Sequence, residues 1–575
     1  MLTRRLREAQ VAHPSVILSL ALLLTLVAGS VFAQSRRLSA DLEQLDQNAV
    51  VDVIVQFHHT PGHEHHRMVQ ASGGVLRKSL EIVKAGHYSL PVRALRSLAE
   101  DPEVAYISPD RELTGALDNG GVAVNANIAF TYGWDGTGIG VAVVDSGIAN
   151  HPDLKDSKGA LRVVYQQDFV GGGTDDHYGH GQSVAGIIGG SGASSSGSTC
   201  FHTFRGVAPN VNLINLRVLD KNGHGTDSGV IAAIQQAIGL KSKYNIRVMN
   251  LSLGRPVYES YALDPLCQAV EQAWKAGIVV VVAAGNDGRN NSQGNSGYGT
   301  IQAPGNDPYV ITVGAMKTMG TPSRADDLIA SYSSKGPTAV DHIVKPDLVA
   351  PGNQMASLLA STAQLQNQYP NNAVPLTYYQ NTGSGARSNY YYRMSGTSMA
   401  APIVSGAAAL VLQRTRTLTP DQVKAILMRT ASKVFPSSSL ATDATTGVTY
   451  TSYYDIFTVG AGYVDVWAAL NCPEVPGTAV GAAVSPTARY DPQARSFSLA
   501  TTGPLAIWGT NVVWGDNVVW GDNVVWGDNV VWGDNVVWGD STTQGFRAIW
   551  SNTSLWAAGT QTVTESIPLA ISGEK

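Results

Sequence analysis

The stretch Gly277–Asn286, "GIVVVVAAGN", decides the fold. Its run of valines shows no polar alternation, so a strand built from it has both faces covered. The same texture recurs in "GIGVAVVD" (Gly138–Asp145), "VNLINLRVLD" (Val211–Asp220), "IRVMNLSLG" (Ile246–Gly254) and "PYVITVGA" (Pro308–Ala315). Stretches with helical spacing lie among them, such as "GVIAAIQQAIGL" (Gly229–Leu240) and "LCQAVEQAWKAG" (Leu266–Gly277). This alternation predicts an α/β domain over residues 120–471, a parallel sheet with helices on both faces. Reacting groups on such sheets collect at the carboxyl ends of the strands. Candidate residues are judged by that test.

Asp145 ends "VAVVDSG" and Asn286 follows "VVVVAAG", both just past a strand. Taken singly, each is equally a turn residue. Ser398 lies in "MSGTSMAAPIVSGAAALVL" (Met394–Leu412), between a glycine turn and a helix of small residues. A serine there is an ordinary helix cap. The Gly and Ala behind it, however, let the helix sink into a core, and a nucleophile at that position gains its own N–H and the positive end of the helix dipole. The string "DDHYGHGQSVAG" (Asp175–Gly186) holds His177 and His180, and G-H-G recurs at Gly223–Gly225. A carboxylate, an imidazole and a serine at one sheet edge make an orienting acid, a general base and a nucleophile. The Asn286 amide adds a donor for a developing oxyanion.

Together these residues resemble the subtilisin-like serine peptidases. "VAVVDSGI", "NHPDL", "GHGQSVAGI", "RGVAPN", "NLSLG", "VVAAGND", "ASYSSKGP", "KPDLVAPG" and "GTSMAAPIVSGAAALVL" stand in that family's order. The resemblance implies a catalytic triad of Asp145, His180 and Ser398, with Asn286 and the Ser398 N–H holding the oxyanion. It makes His180 the base, because His180 heads "GQSVAGIIGG" and falls in the right motif. His224 then belongs to a substrate-side loop, and His177 to the surface approach to the first helix. Ser252, Leu253 and Gly254, with Ala283, Ala284 and Gly285, correspond to the extended edges that bind a peptide substrate by backbone pairing.

The chain departs from the family in three places. His180 is followed by Gly181-Gln182-Ser183, where the family usually continues H-G-T-H; these residues support the site without moving protons. "GGSGASSSGSTCFHTFRG" replaces a common calcium loop, leaving structural calcium without assigned ligands and the metal site unknown. Arg255 in "SLGRP" stands where a glycine is frequent. It narrows the pocket, draws an acidic side chain, or, most simply, is solvated. The chemistry itself requires no cofactor.

Residues 1–33 read as a secretory signal: Arg4, Arg5 and Arg7, an apolar run from Val16 to about Val27, and small Ala33 at the cleavage site. That run is shorter than the roughly 20 residues that span a bilayer. Residues 34–115 have a β-α-β-β-α-β order, from "VVDVIVQF" to "EVAYISPD", and predict a ferredoxin-like α+β unit. It resembles the family's inhibitory propeptide, with self-cleavage within "DRELTGALDNGG" (Asp110–Gly121). Histidines crowd "FHHTPGHEHHRM" (Phe57–Met68). A solvated loop is the plain reading, beside a metal site or a pH switch.

Residues 472–575 begin as a linker-like stretch and reach N-V-V-W-G-D units repeated from Asn511 to Asp540. The period of six is even, so an extended chain would keep Val512, Trp514 and Asp516 on one face, a β-biased pattern. Exposed tryptophan rows suit contact with glycan or the cell envelope; a low-complexity tail without a ligand is the alternative.

Charged residues are 14 % of the chain and net charge is -5, which gives no basic surface for nucleic acid. Cys200, Cys267 and Cys472 permit one disulfide on export. The expectation is a secreted, extracellular or periplasmic serine endopeptidase, made as a zymogen, acting on protein or peptide substrates with its own propeptide as inhibitor. A catalytically silent binding protein on the same fold, working through the repeats, is the rival.

Overall fold

The computed structural model describes residues 45–80, 84–109, 119–292, 294–381, 385–443, 446–473, 479–491 and 496–500, with residues 37, 38, 42, 573 and 574. The signal, the expected self-cleavage segment up to residue 118 and the tryptophan repeats lie outside the described residues. The chain divides into two compact units, Met1–Thr114 and Gly115–Lys575.

In the first unit, β1 (Val50–Phe57), α1 (His63–Ala71), β2 (Val75–Leu80), β3 (Ala85–Pro91), α2 (Val92–Ala99) and β4 (Val104–Pro109) follow one another. The strands lie in the order β2-β3-β1-β4, with every neighbouring pair antiparallel. This is the predicted ferredoxin-like arrangement. Val53, Val55 and Phe57 alternate inward and pack with Leu95 and Leu98, as a half-covered sheet requires. The histidine string is not a loop: from His63 onward it forms α1. Local contacts stabilise that helix, since His65 packs edge-on against Phe57 and His66 Nδ1 lies 2.7 Å from the Tyr88 hydroxyl. Burial, then the neighbouring His63 and His65, lower the His66 pKa.

The second unit is built on β5 (Gly140–Asp145), β6 (Val163–Asp168), α3 (His180–Gly189), β7 (Asn212–Arg217), α4 (Asp227–Tyr244), β8 (Ile246–Leu251), α5 (Pro265–Lys275), β9 (Val279–Ala283), β10 (Ile311–Lys317), β11 (Leu328–Ile329), β12 (Leu348–Pro351) and α6 (Thr397–Arg414). Its sheet runs β11-β10-β9-β8-β5-β7-β6, with β12 also on β10. All pairs are parallel except β10 with β11, so the sheet is mixed rather than wholly parallel. The exception is a two-residue edge strand reached by a short return from β10, which must reverse direction. Every residue of β5 and β9 is buried, as their unbroken apolar runs predict. Helices α3 and α6 pack on each other and on the sheet, as do α4 and α5.

Helix α6 carries almost no polar face, and Thr397 and Met399–Leu412 are all buried. Its small residues make that depth attainable. A Cβ on Gly406 would lie 2.6 Å from Val207 Cβ, so any larger residue there would push the helix off its seat.

Candidate active site

Asp145 is the last residue of β5, and its position follows from the strand's register in the sheet. Its Oδ1 lies 2.7 Å from His180 Nδ1 and accepts the Ser146 N–H at 2.7 Å. Asp145 is 1 % exposed and His180 12 %, so the pair is largely dry. Burial is the largest effect on the imidazole and pulls its pKa down, but the Asp145 charge and hydrogen bond, with Asp176 behind them, outweigh it and leave the pKa raised. The imidazole is thereby fixed with Nδ1 toward the acid and Nε2 outward.

His180 begins α3, and Gly181 is what allows it to approach. A Cβ at Gly181 would sit 2.4 Å from the Gly147 carbonyl oxygen. Asp176, which the sequence reading passed over, organises this turn. Its carboxylate accepts the N–H groups of Tyr178, Gly179 and Gln182 and the Ser146 hydroxyl, at 2.7–3.0 Å. A buried acid capping a helix start just before His180 was visible as an Asp four residues ahead of a histidine.

Ser398 is the second residue of α6, where first-turn N–H groups have no intrahelical acceptor. Its Oγ donates to the Ser252 carbonyl at 3.1 Å. The Ser252 side chain faces inward, donating to the Ser398 carbonyl at 2.8 Å and accepting from Asn250 Nδ2 at 2.9 Å. Thus the "NLSLG" stretch positions the helix that carries Ser398. Asn286 is pinned by Thr397, whose N–H and hydroxyl both donate to Asn286 Oδ1, at 2.9 and 3.1 Å. With its oxygen occupied, the amide presents its NH2 as the remaining polar group. Thr397 was missed in the sequence because a threonine beside a helix start reads as one more small residue.

His180, Ser398, Asn286, Ser252, Leu253, Gly254 and His224 line one cleft of about 510 Å3. Ala283, Ala284 and Gly285 are buried and do not line it. Ala284 N–H and C=O pair with Val313 and Gln302, and Gly285 N–H and C=O with Thr397 and Ser334. His177 is half-buried, its carbonyl accepting from Gln364 N–H at 3.0 Å.

Arg255 on the cleft wall is partly exposed but is not a lone solvated charge. Its guanidinium forks onto Asp227 and Asp264 at 2.9–3.1 Å. Fully buried Asp264 needs a counter-ion, and Arg255 supplies it. Gln182 Oε1 accepts the Ala149 N–H at 2.7 Å, and Ser183 Oγ lies 3.5 Å from Met399 Sδ. The loop after α3 is held by Asp153, whose carboxylate accepts Ser194 N–H at 2.8 Å and the Tyr391 hydroxyl at 2.7 Å. Those neutral donors occupy the carboxylate, and no group of three or more His, Cys, Asp or Glu side chains converges among the described residues. Cys200, Cys267 and Cys472 are free thiols, so the permitted disulfide is not made. Cys472 is buried in the apolar core, where it packs as a small hydrophobe, and the buried Cys267 thiol donates to Asn306 Oδ1 at 3.3 Å.

The model of the subtilase family, Peptidase_S8, matches residues 136–451. The serine protease AprX of Bacillus subtilis (strain 168) is 39% identical over 348 residues, covering 58% of this chain and 71% of that protein. Subtilisin E of the same organism is 32% identical over 368 residues, covering 63% of this chain and 80% of its own length. The extracellular serine proteinase of Thermus sp. (strain Rt41A) is 33% identical over 350 residues, covering 59% and 68%. The chain belongs to the subtilase family and is a serine endopeptidase. Among the described residues no helix is long and apolar enough to cross a membrane.

Proposed function

We propose that the endopeptidase works through Asp145, His180 and Ser398, by way of an acyl-enzyme. The observation that carries this reading is the dry 2.7 Å contact of His180 with Asp145, in a cleft that Ser398 and Asn286 also line. His180 takes the Ser398 proton as Oγ attacks the scissile carbonyl, then returns it to the leaving amine. Asp145 holds the tautomer and stabilises the imidazolium. Asn286 and the Ser398 N–H receive the oxyanion. The Ser398 Oγ bond to Ser252 is a resting arrangement; a χ1 rotation re-aims the hydroxyl, and such contacts tighten only with substrate bound.

The remaining steps of the reading concern the whole chain. Residues 1–33 direct export and are removed after Ala33. Residues 34–115 act as an inhibitory propeptide, cut by the enzyme itself between Asp110 and Gly121. The product is a secreted peptidase of residues 120–471 followed by the tail, with protein or peptide substrates; the repeats contact glycan or the cell envelope. The test is a serine-directed fluorophosphonate probe on wild type and Ser398→Ala. Wild type takes label and sheds its amino-terminal segment, and the variant does neither. A wild type that refuses label and keeps the segment would overturn the reading.

A further inference from the structure

The penultimate residue of the chain sits in a socket made by the peptidase unit. Glu574 is only 7 % exposed. Its Oε1 accepts from Arg289 Nη2 at 2.6 Å and from the Ser331 hydroxyl. Its Oε2 accepts the Ser331 N–H at 3.0 Å and lies 3.2 Å from Lys317 Nζ. The backbone is read as well: Glu574 N–H donates to Asn353 Oδ1 at 2.8 Å, and Asn353 Nδ2 donates to the Glu574 carbonyl at 2.7 Å. Gly573 has φ +69°, and a Cβ there would lie 2.6 Å from Ser395 Oγ, so only glycine fits ahead of the carboxylate.

The cations are built into the fold rather than laid on its surface. Lys317, 4 % exposed, ends β10, and Arg289 is itself fixed by Asp443 Oδ2 at 2.7 Å and by Ser331 Oγ at 2.6 Å. A buried lysine and a largely buried arginine facing one point create a strong demand for an anion. The socket also touches both loops of the active site. Arg289 lies three residues beyond Asn286 in the same loop. Asn353 follows Gly352, whose carbonyl accepts the Gly396 N–H at 2.8 Å, just ahead of Thr397 and Ser398.

We propose that Gly573-Glu574 is a latch: an intramolecular ligand whose carboxylate fills this socket, fastens the segment that follows the repeats to the peptidase unit and braces the loops bearing Asn286 and Ser398. The strand pair Thr487–Asp491 and Ser496–Ala500 is already attached to the same unit, with Val344 N–H on the Pro486 carbonyl and Ala488 N–H on that of His342, at 2.9 and 2.8 Å. The chain carrying the repeats therefore leaves this unit and returns to it. A single cut within the repeat region therefore leaves Gly573-Glu574 held in the socket.

The test uses the full chain with Ser398→Ala to suppress self-digestion, and it reads retention of a fragment rather than activity. A site-specific protease sequence is inserted after Gly503, the chain is cut there, and the fragments are run on size exclusion at micromolar concentration. The carboxyl-terminal fragment co-elutes with the peptidase unit. With Glu574→Lys its retention weakens about 30-fold or more. Glu574→Gln, which keeps the shape and loses the charge, falls between them. Unequal folding is checked by the melting temperature of each uncut protein. Separation of the fragment that keeps Glu574 on cutting, or equal retention by Glu574→Lys, would overturn the latch.

Discussion

Asn286→Leu and Thr397→Val, singly and together, separate the proposed oxyanion donor from the residue proposed to aim it. Leucine removes the amide NH2 and costs kcat about 10²- to 10³-fold, or roughly 2.7–4 kcal/mol, a range established on a subtilisin and so the family's own. Valine at 397 keeps the shape of threonine but deletes the hydroxyl, and with it the 3.1 Å bond to Asn286 Oδ1. The 2.9 Å bond from the Thr397 N–H survives. One neutral hydrogen bond is worth about 0.5–1.5 kcal/mol, so kcat should fall roughly 2- to 10-fold with KM little changed. The same hydroxyl accepts the Gly285 N–H at 3.1 Å, and orphaning that buried group lowers stability by about 1–3 kcal/mol. Because Thr397 acts through Asn286, the double variant should be no slower than Asn286→Leu alone. The assay is kcat and KM on a chromogenic peptide, with active enzyme counted by fluorophosphonate titration. If Thr397→Val costs the same factor in the Asn286→Leu background as in wild type, Thr397 does not work by aiming the amide.

The other predictions concern the groups around that centre. As the proposed base, His180 must be neutral to accept a proton, and its pKa is raised, so activity is expected to be lost as pH falls through a midpoint above the ordinary 6.5. Asp176→Asn removes one of the charges that raise it, and should move the acid limb of the kcat/KM profile to lower pH; an unmoved limb would dissociate Asp176 from the base. Arg255→Ala leaves the buried Asp264 carboxylate without its counter-ion. Since Arg255 is itself partly exposed, the loss is placed at about 3 kcal/mol or somewhat less, read by thermal or denaturant unfolding. Gln182→Ala deletes a fully buried side chain and the acceptor of Ala149 N–H, costing about 1–3 kcal/mol of stability. Its kcat should stay within a few-fold of wild type, because neither atom of the Asp145–His180 contact depends on it.

Much of this protein is written in local pattern. Unbroken apolar runs announced strands covered on both faces, the strand-end rule picked out Asp145 and Asn286, and the crowd of Gly and Ala behind Ser398 announced a helix that must be buried. These signals are legible because each depends on residues adjacent in the chain. What the sequence could not carry is pairing across long separations, where chain spacing says nothing of distance. Arg255 looked like a lone charge beside a glycine motif, and only the fold brings Asp227 and Asp264 onto it. The histidine string looked like a solvated loop, and its packing against Phe57 and Tyr88 makes part of it a helix. Cysteine count allowed a disulfide, but the fold places the three thiols apart from one another as free groups. Asp176, Thr397 and Glu574 were ordinary polar residues until tertiary structure surrounded them with donors. The sequence by itself determined the layers of the fold and the types of group at its reactive edge; the tertiary structure alone decided which charges neutralise one another, because burial makes an unpaired ion too costly to keep.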